Sequence, residues 1–151
     1  MRYSHFFINP PIIIISSLLL SVTLNIYCPT YFLFPKQYNF IGIILIFISL
    51  ISIIYCFIQF LKFHTTPIYG KKSNKLITDG LYAYSRNPLY LSWIIFLLGV
   101  DIILGNLSTF IGLLFFIIFT NFLIVPTEEK MLEKIFSEKY FNYKKQVPRW
   151  I

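Results

Sequence analysis

The sequence predicts an all-α integral membrane protein of about four transmembrane helices, and three observations carry that expectation. Hydrophobic residues fill 57% of the 151 positions, and charged residues only 13%. Mean hydropathy is +0.72, too apolar for an ordinary soluble domain. Four apolar runs approach the roughly 20 residues that an α-helix needs to cross a hydrocarbon core about 30 Å thick. The formal net charge of +7 could suggest nucleic acid, but the basic residues flank apolar spans and line no groove-reading helix. That placement suits anionic headgroups, and no nucleic-acid partner is expected.

The first span is read over Phe6 to Tyr27, as a retained helix, because no small-residue cleavage site precedes the next polar residues. The second runs from Tyr38 to Leu61, the third from Leu89 to Leu104 and the fourth from Leu107 to Val125. Only Gly105 and Asn106 separate the last two, which predicts a tight helical hairpin with Asp101 as a polar cap at the far surface. Arg2, the stretch from Lys62 to Arg86 and the tail from Lys130 to Arg149 fall on one side, with Lys36 alone on the other. Positive charge is retained on the cytoplasmic side during insertion, so both termini and the long middle loop are expected there.

Beyond the fourth span, Met131, Leu132, Ile135, Phe136, Tyr140 and Tyr143 recur at helical spacing. A cytoplasmic amphipathic tail helix over Thr127 to Val147 is expected, lying along the membrane surface. One membrane-embedded domain over 1–151 suffices. Residues 1–61 supply two N-terminal helices, and residues 62–151 supply loop, hairpin and tail. Cys28 and Cys56 lie in or beside apolar runs without a CxxC spacing, and His5 and His64 stand near interfaces, so no metal site is expected.

Chemistry is expected in the loop from Lys62 to Asn87, which is longer than a connection requires and mixes turn formers with aromatic and aliphatic residues. Pro88 opens the third helix where proline is tolerated and holds Asn87 extended. Backbone donors at that helix start, with Arg86, can bind a carboxylate. Tyr82 and Tyr90 offer aromatic faces to an adenine or a cationic sulfonium, although for tyrosines taken alone interfacial anchoring is the favoured explanation. Glu128 and Glu129 follow Pro126 and Thr127 at the end of the fourth span, where they can face a cationic ligand or complete the first turn of a helix capped by Thr127.

Taken in order, Leu76-Ile77, Gly80-Leu81-Tyr82, Arg86-Asn87-Pro88-Leu89-Tyr90-Leu91-Ser92, Glu128-Glu129, Phe136, Tyr140, Tyr143 and Val147-Pro148 resemble the pattern of the isoprenylcysteine carboxyl methyltransferase and phospholipid methyltransferase superfamily. The resemblance covers roughly Thr65 to the C-terminus. It implies S-adenosylmethionine as cofactor, with Asn74, Lys75, Leu76, Ile77 and Tyr82 wrapping it, Asn87, Pro88, Leu89 and Tyr90 lining it, and Glu128 meeting its amino group. Asn87 stands where the family has histidine and Ser92 where it has glycine. Asn87 keeps hydrogen-bonding capacity without a titrating base, and Ser92 still allows close packing. Ile124 occupies the place where prenylcysteine-carboxylate enzymes carry an arginine.

The expected reaction is methyl transfer to a membrane-embedded or hydrophobic acceptor, such as an isoprenylcysteine-like carboxylate, a phospholipid amine, an isoprenoid lipid or a hydrophobic thiol. Arg86 and Glu129 are the expected catalytic pair. Glu129, Tyr90 or a water would take the proton of an amine acceptor, whereas a carboxylate or thiolate would need no base. No GxGxxG spacing is present, which excludes a soluble Rossmann-type methyltransferase domain. Two alternatives stand beside this reading. An NADPH-dependent membrane reductase of similar topology would need more cations for the phosphates than Arg86 and Lys75 offer. A non-enzymatic small membrane protein is the other, with Asn25 and Gln59 the main polar intrusions in its spans.

Overall fold

A computed structural model describes residues 10–63, 65 and 75–151 of the protein. Among these residues the structure is helical, with one isolated antiparallel bridge between Phe32 and Asn106. Helix α1 spans Pro10–Tyr27, α2 Asn39–Lys62 after a 3-10 turn at Lys36–Tyr38, and α3 Pro88–Leu104. A second 3-10 turn, Leu107–Thr109, leads into α4, Phe110–Phe119, which runs through a π-helical turn, Thr120–Ile124, into α5, Val125–Phe136. Helix α6 is Glu138–Gln146. Among the described residues, three stretches are long and apolar enough to cross a membrane, Pro10–Tyr27, Lys36–Lys62 and Leu107–Phe136, and Pro88–Leu104 is a shorter apolar helix.

Packing inverts the soluble pattern. In α2 the buried positions are Gly42, Ser49, Ile53, Cys56 and Gln59, while Ile43, Phe47, Ile51, Ile54, Ile58 and Leu61 are exposed. Lipid tails solvate large aliphatic side chains as well as a protein core does, so small residues are kept for the helix interfaces. The α2–α3 crossing shows why. A Cβ on Gly42 would stand 2.5 Å from the Gly99 carbonyl oxygen, and one on Gly99 would stand 2.7 Å from that of Gly42. Backbones can approach this closely only where neither residue has a side chain. On the other side, Ser21 of α1 donates to the Thr109 carbonyl at 2.9 Å.

The α3–α4 hairpin forms as the sequence predicts, with Gly105 in the left-handed conformation ending α3. The segment between α1 and α2 lies over it. Leu33 N–H donates to Gly105 O (2.8 Å), Leu107 N–H to Tyr31 O (3.1 Å) and Ser108 N–H to Thr30 Oγ1 (2.9 Å). This cover corrects the expectation for Asp101, which is fully buried beside Ser21 and Thr109 and caps no surface.

The tail also differs from the single helix expected over Thr127 to Val147. Residues from Leu107 to Phe136 form one rod, and Thr127 lies inside it, its hydroxyl donating to Leu123 O at 2.5 Å and capping nothing. Pro126 within this rod has no N–H and would crowd the carbonyl four residues back, and the wider π turn just before it relieves that conflict. There Val125 N–H reaches Thr120 O. The rod stops at Ser137, whose φ of 46° and ψ of −115° turn the chain into α6.

Replacing Gly99 by Leu is expected to force α2 and α3 apart and cost about 1–3 kcal/mol or more. The thermal unfolding midpoint in detergent reads this directly, and an unchanged midpoint would contradict the close crossing.

Candidate functional site

The site is built where the chain returns to one end of the bundle three times: after α2, at the start of α3, and along α5 and α6. A 3-10 turn at Gly80–Ala83 places Tyr82 against α2, in a cluster of Cys56, Ile77 and Tyr82 that Leu89 packs against. Gly80 makes this possible. Its φ is +65°, and a side chain there would collide with Tyr55 and Gln59 of α2. Lys75 Nζ lies 4.5 Å from the centroid of the Phe63 ring. Leu76 turns to the opposite partner, the cluster of Tyr140, Tyr143 and Val147. The loop is thus pinned between α2 and the tail. Asn74 lies outside the described residues.

Helix α3 opens at Pro88, as expected, and no side chain caps its first turn. Tyr90, buried in the bundle core with Ile13, Leu97, Leu113, Phe116, Ile124 and Val125, donates its hydroxyl to Glu128 Oε1 at 2.6 Å. Ser92 folds its hydroxyl back onto Pro88 O at 2.8 Å, so it stays within the helix where the family has glycine. Asn87 uses its side-chain amide elsewhere, donating from Nδ2 to Arg149 O at 3.0 Å.

Beside Glu128, the buried Glu129 is held by two guanidinium groups. Arg86 Nη1 stands 3.1 Å from its Oε1, and Arg149 Nη2 stands 2.8 Å from its Oε2. Both carboxylate oxygens are therefore engaged, which fits Glu129 as a fixed counter-charge better than as a proton acceptor. Arg86 retains a buried Nε without a hydrogen-bond partner among the described residues.

The C-terminal strand of chain completes the enclosure. Val147 is extended, as the residue before a proline tends to be. From there Pro148 O accepts from Arg86 N–H (3.0 Å), Arg149 O accepts from Ser85 Oγ (3.3 Å), and Trp150 Nε1 donates to Asn121 Oδ1 (3.1 Å). Tyr143 donates to Tyr82 O at 2.6 Å. Burial pushes the Tyr143 phenol well above its ordinary value, with Tyr140 beside it adding to the shift. The Tyr140 phenol, raised by its own burial and by neighbouring Glu129, reaches about 12. Both remain protonated near neutral pH. Arg149, Trp150 and Asn121 escaped the sequence reading, since nothing local links them to Arg86 or Glu129. Val147-Pro148 was the one available signal that the chain leaves the helix to dock.

The Glu128 carboxyl bonded to Tyr90, the Arg86 guanidinium with a buried Nε that lacks a hydrogen-bond partner among the described residues and the start of α3 without a side-chain cap all belong to this end of the bundle.

The sequence model of a family described as phospholipid methyltransferase matches residues 38–139. The chain is 39% identical over 90 residues to protein-S-isoprenylcysteine O-methyltransferase of Schizosaccharomyces pombe, covering 58% of this chain and 37% of that protein. It is 33% identical over 87 residues to the Mus musculus protein of the same name, covering 56% and 30%. A methanethiol S-methyltransferase of Crocosphaera subtropica is 37% identical over 79 residues, covering 51% and 29%. The match thus spans about a third of the length of these relatives. No solved structure matches the chain.

Exchanging Tyr143 for Phe should leave the Tyr82 carbonyl without its donor and cost about 1–3 kcal/mol locally. Faster amide exchange over residues 75–87, with the helices unchanged, is the expected result. Unaltered exchange would show that the tail does not secure the loop.

Proposed function

Because the chain belongs to the phospholipid methyltransferase family, we propose that it transfers the methyl group of S-adenosylmethionine to a hydrophobic acceptor presented from the bilayer. The observation that carries this reading is the Tyr90 hydroxyl held on Glu128 at 2.6 Å, on the rod whose next residue, Glu129, pairs with Arg86 at 3.1 Å, and Arg86 Nε is buried without a hydrogen-bond partner among the described residues. A carboxyl group and a guanidinium group suit the ammonium and carboxylate of one amino-acid moiety. Glu128 receives the ammonium, and Arg86 with the start of α3 receives the carboxylate. Tyr82, Ile77, Leu76 and Leu89 enclose the nucleoside side, while Asn87 and Pro88 hold the chain that frames it. The cofactor, when bound, supplies an electrophilic methyl on a sulfonium.

The protein's own work is then positioning and exclusion of water. Fixing two reactants in an in-line geometry supplies about 7–11 kcal/mol, enough to carry much of the reaction. A thiolate or carboxylate acceptor needs no base. Ile124, one turn before Glu128, is completely buried among apolar residues, so no cation stands there to read an acceptor's carboxylate. The acceptor is accordingly recognised by its apolar body. An isoprenylcysteine-like molecule or a hydrophobic thiol fits, and the likeness to a methanethiol S-methyltransferase favours testing the thiol. The positive flanks from Lys62 to Arg86 and from Lys130 to Arg149 support a cytoplasmic location for this end of the bundle.

Calorimetric titration of S-adenosylhomocysteine into the detergent-purified protein tests the reading. Wild type should bind in the micromolar range, which corresponds to about −8 kcal/mol. Tyr90→Phe should weaken binding by about tenfold, the weight of one charge-assisted hydrogen bond, and Glu128→Ala by more. A folded wild-type protein that binds nothing would remove the methyltransferase reading.

A further inference from the structure

We propose that Arg149 is a positioning residue of the cofactor site, acting through Glu129 to keep the charge of Arg86 available for the cofactor's carboxylate. This rests on the methyltransferase reading above. Three observations lead to it. Two guanidinium groups share a single buried carboxylate, Arg149 at 2.8 Å and Arg86 at 3.1 Å, so Glu129 alone neutralises only one of them. The Arg86 and Glu129 side chains are 9% and 6% exposed, while Arg149 is 34% exposed. Arg86 is the deeper of the two cations, and its Nε is buried without a hydrogen-bond partner among the described residues. A buried cation left uncompensated is costly, and a ligand anion relieves that cost.

Arg149 decides how much of Arg86 is spent on Glu129. With Arg149 in place, Glu129 is divided between two cations: Arg149 donates from Nη2 to Oε2 at 2.8 Å and from Nε to Oε1 at 3.3 Å, so it competes with Arg86 for Oε1. Without it, the carboxylate would turn wholly to Arg86 and cancel the charge that the cofactor needs. Removing the Arg149 side chain should leave the tail docked. Its backbone carbonyl accepts from Asn87 and Ser85, Pro148 O accepts from Arg86 N–H, and Trp150 is fastened to Asn121.

The test compares two ligands by calorimetry on the full chain in detergent: S-adenosylhomocysteine, and methylthioadenosine, which lacks the amino-acid end. Arg149→Ala should weaken S-adenosylhomocysteine by about tenfold and leave methylthioadenosine unchanged, with Arg149→Lys recovering part of the loss. Adding Glu129→Gln to Arg149→Ala removes the carboxylate that would capture Arg86, and should return affinity to within about threefold of wild type. If Arg149→Ala fails to fold, Arg149→Gln, which keeps length and donors, replaces it with the same expectation. Wild-type binding that Arg149→Ala leaves intact overturns this role while sparing the methyltransferase reading. Equal losses for both ligands, or a double variant weaker than the single, also overturn it by making Arg149 merely structural. Absence of S-adenosylhomocysteine binding by folded wild type overturns both.

Discussion

The buried carboxylate of Glu129 constrains everything at this end of the molecule. An ionised group near the lipid boundary cannot be left uncompensated, and breaking such a cluster costs far more than forming it gains. Its two partners come from sequence positions far apart, Arg86 just before α3 and Arg149 beyond α6. Satisfying one charge therefore draws loop, helical rod and tail into a single arrangement. The hydrogen bonds of Asn87, Tyr143 and Trp150 then fix the details of that arrangement.

The rod that carries Glu129 has its own requirement. It must pass from a lipid-exposed apolar segment to a polar one without exposing backbone groups to hydrocarbon, and it must accommodate Pro126 at that transition. The π turn at Thr120–Ile124 does this by widening the helix for one turn. It also resets the angular register between the membrane part and the part beyond it, so that Ile124 and Val125 enter the core with Tyr90 while Glu128 meets the Tyr90 hydroxyl. A helical wheel drawn continuously through this stretch would misplace the two glutamates relative to the apolar face.

Much of this was legible in the chain itself. The apolar runs, the Gly105-Asn106 turn and the proline opening α3 are local signals, each with a direct conformational consequence, and the structure realises each of them. The residues from Leu76 to Tyr90, together with Glu128, were singled out by the family pattern as the expected site, and the structure joins Tyr90 to Glu128. Asp101 was misplaced because its spacing to the turn says nothing of the segment from Tyr31 to Leu33 that covers the hairpin. The tail was read as one helix because its apolar periodicity continues through Ser137, where only the backbone angles disclose the break.

By itself, then, the sequence determined a helical membrane protein and the end where its charge collects, since hydrophobicity, helix length and turn chemistry are properties of neighbouring residues. Only the tertiary structure decided that Gly42 meets Gly99, that Tyr90 orients Glu128 and that Arg149 closes on Glu129. Each of these contacts joins residues that are distant along the chain, and their energy arises from packing and charge pairing, which no local spacing records.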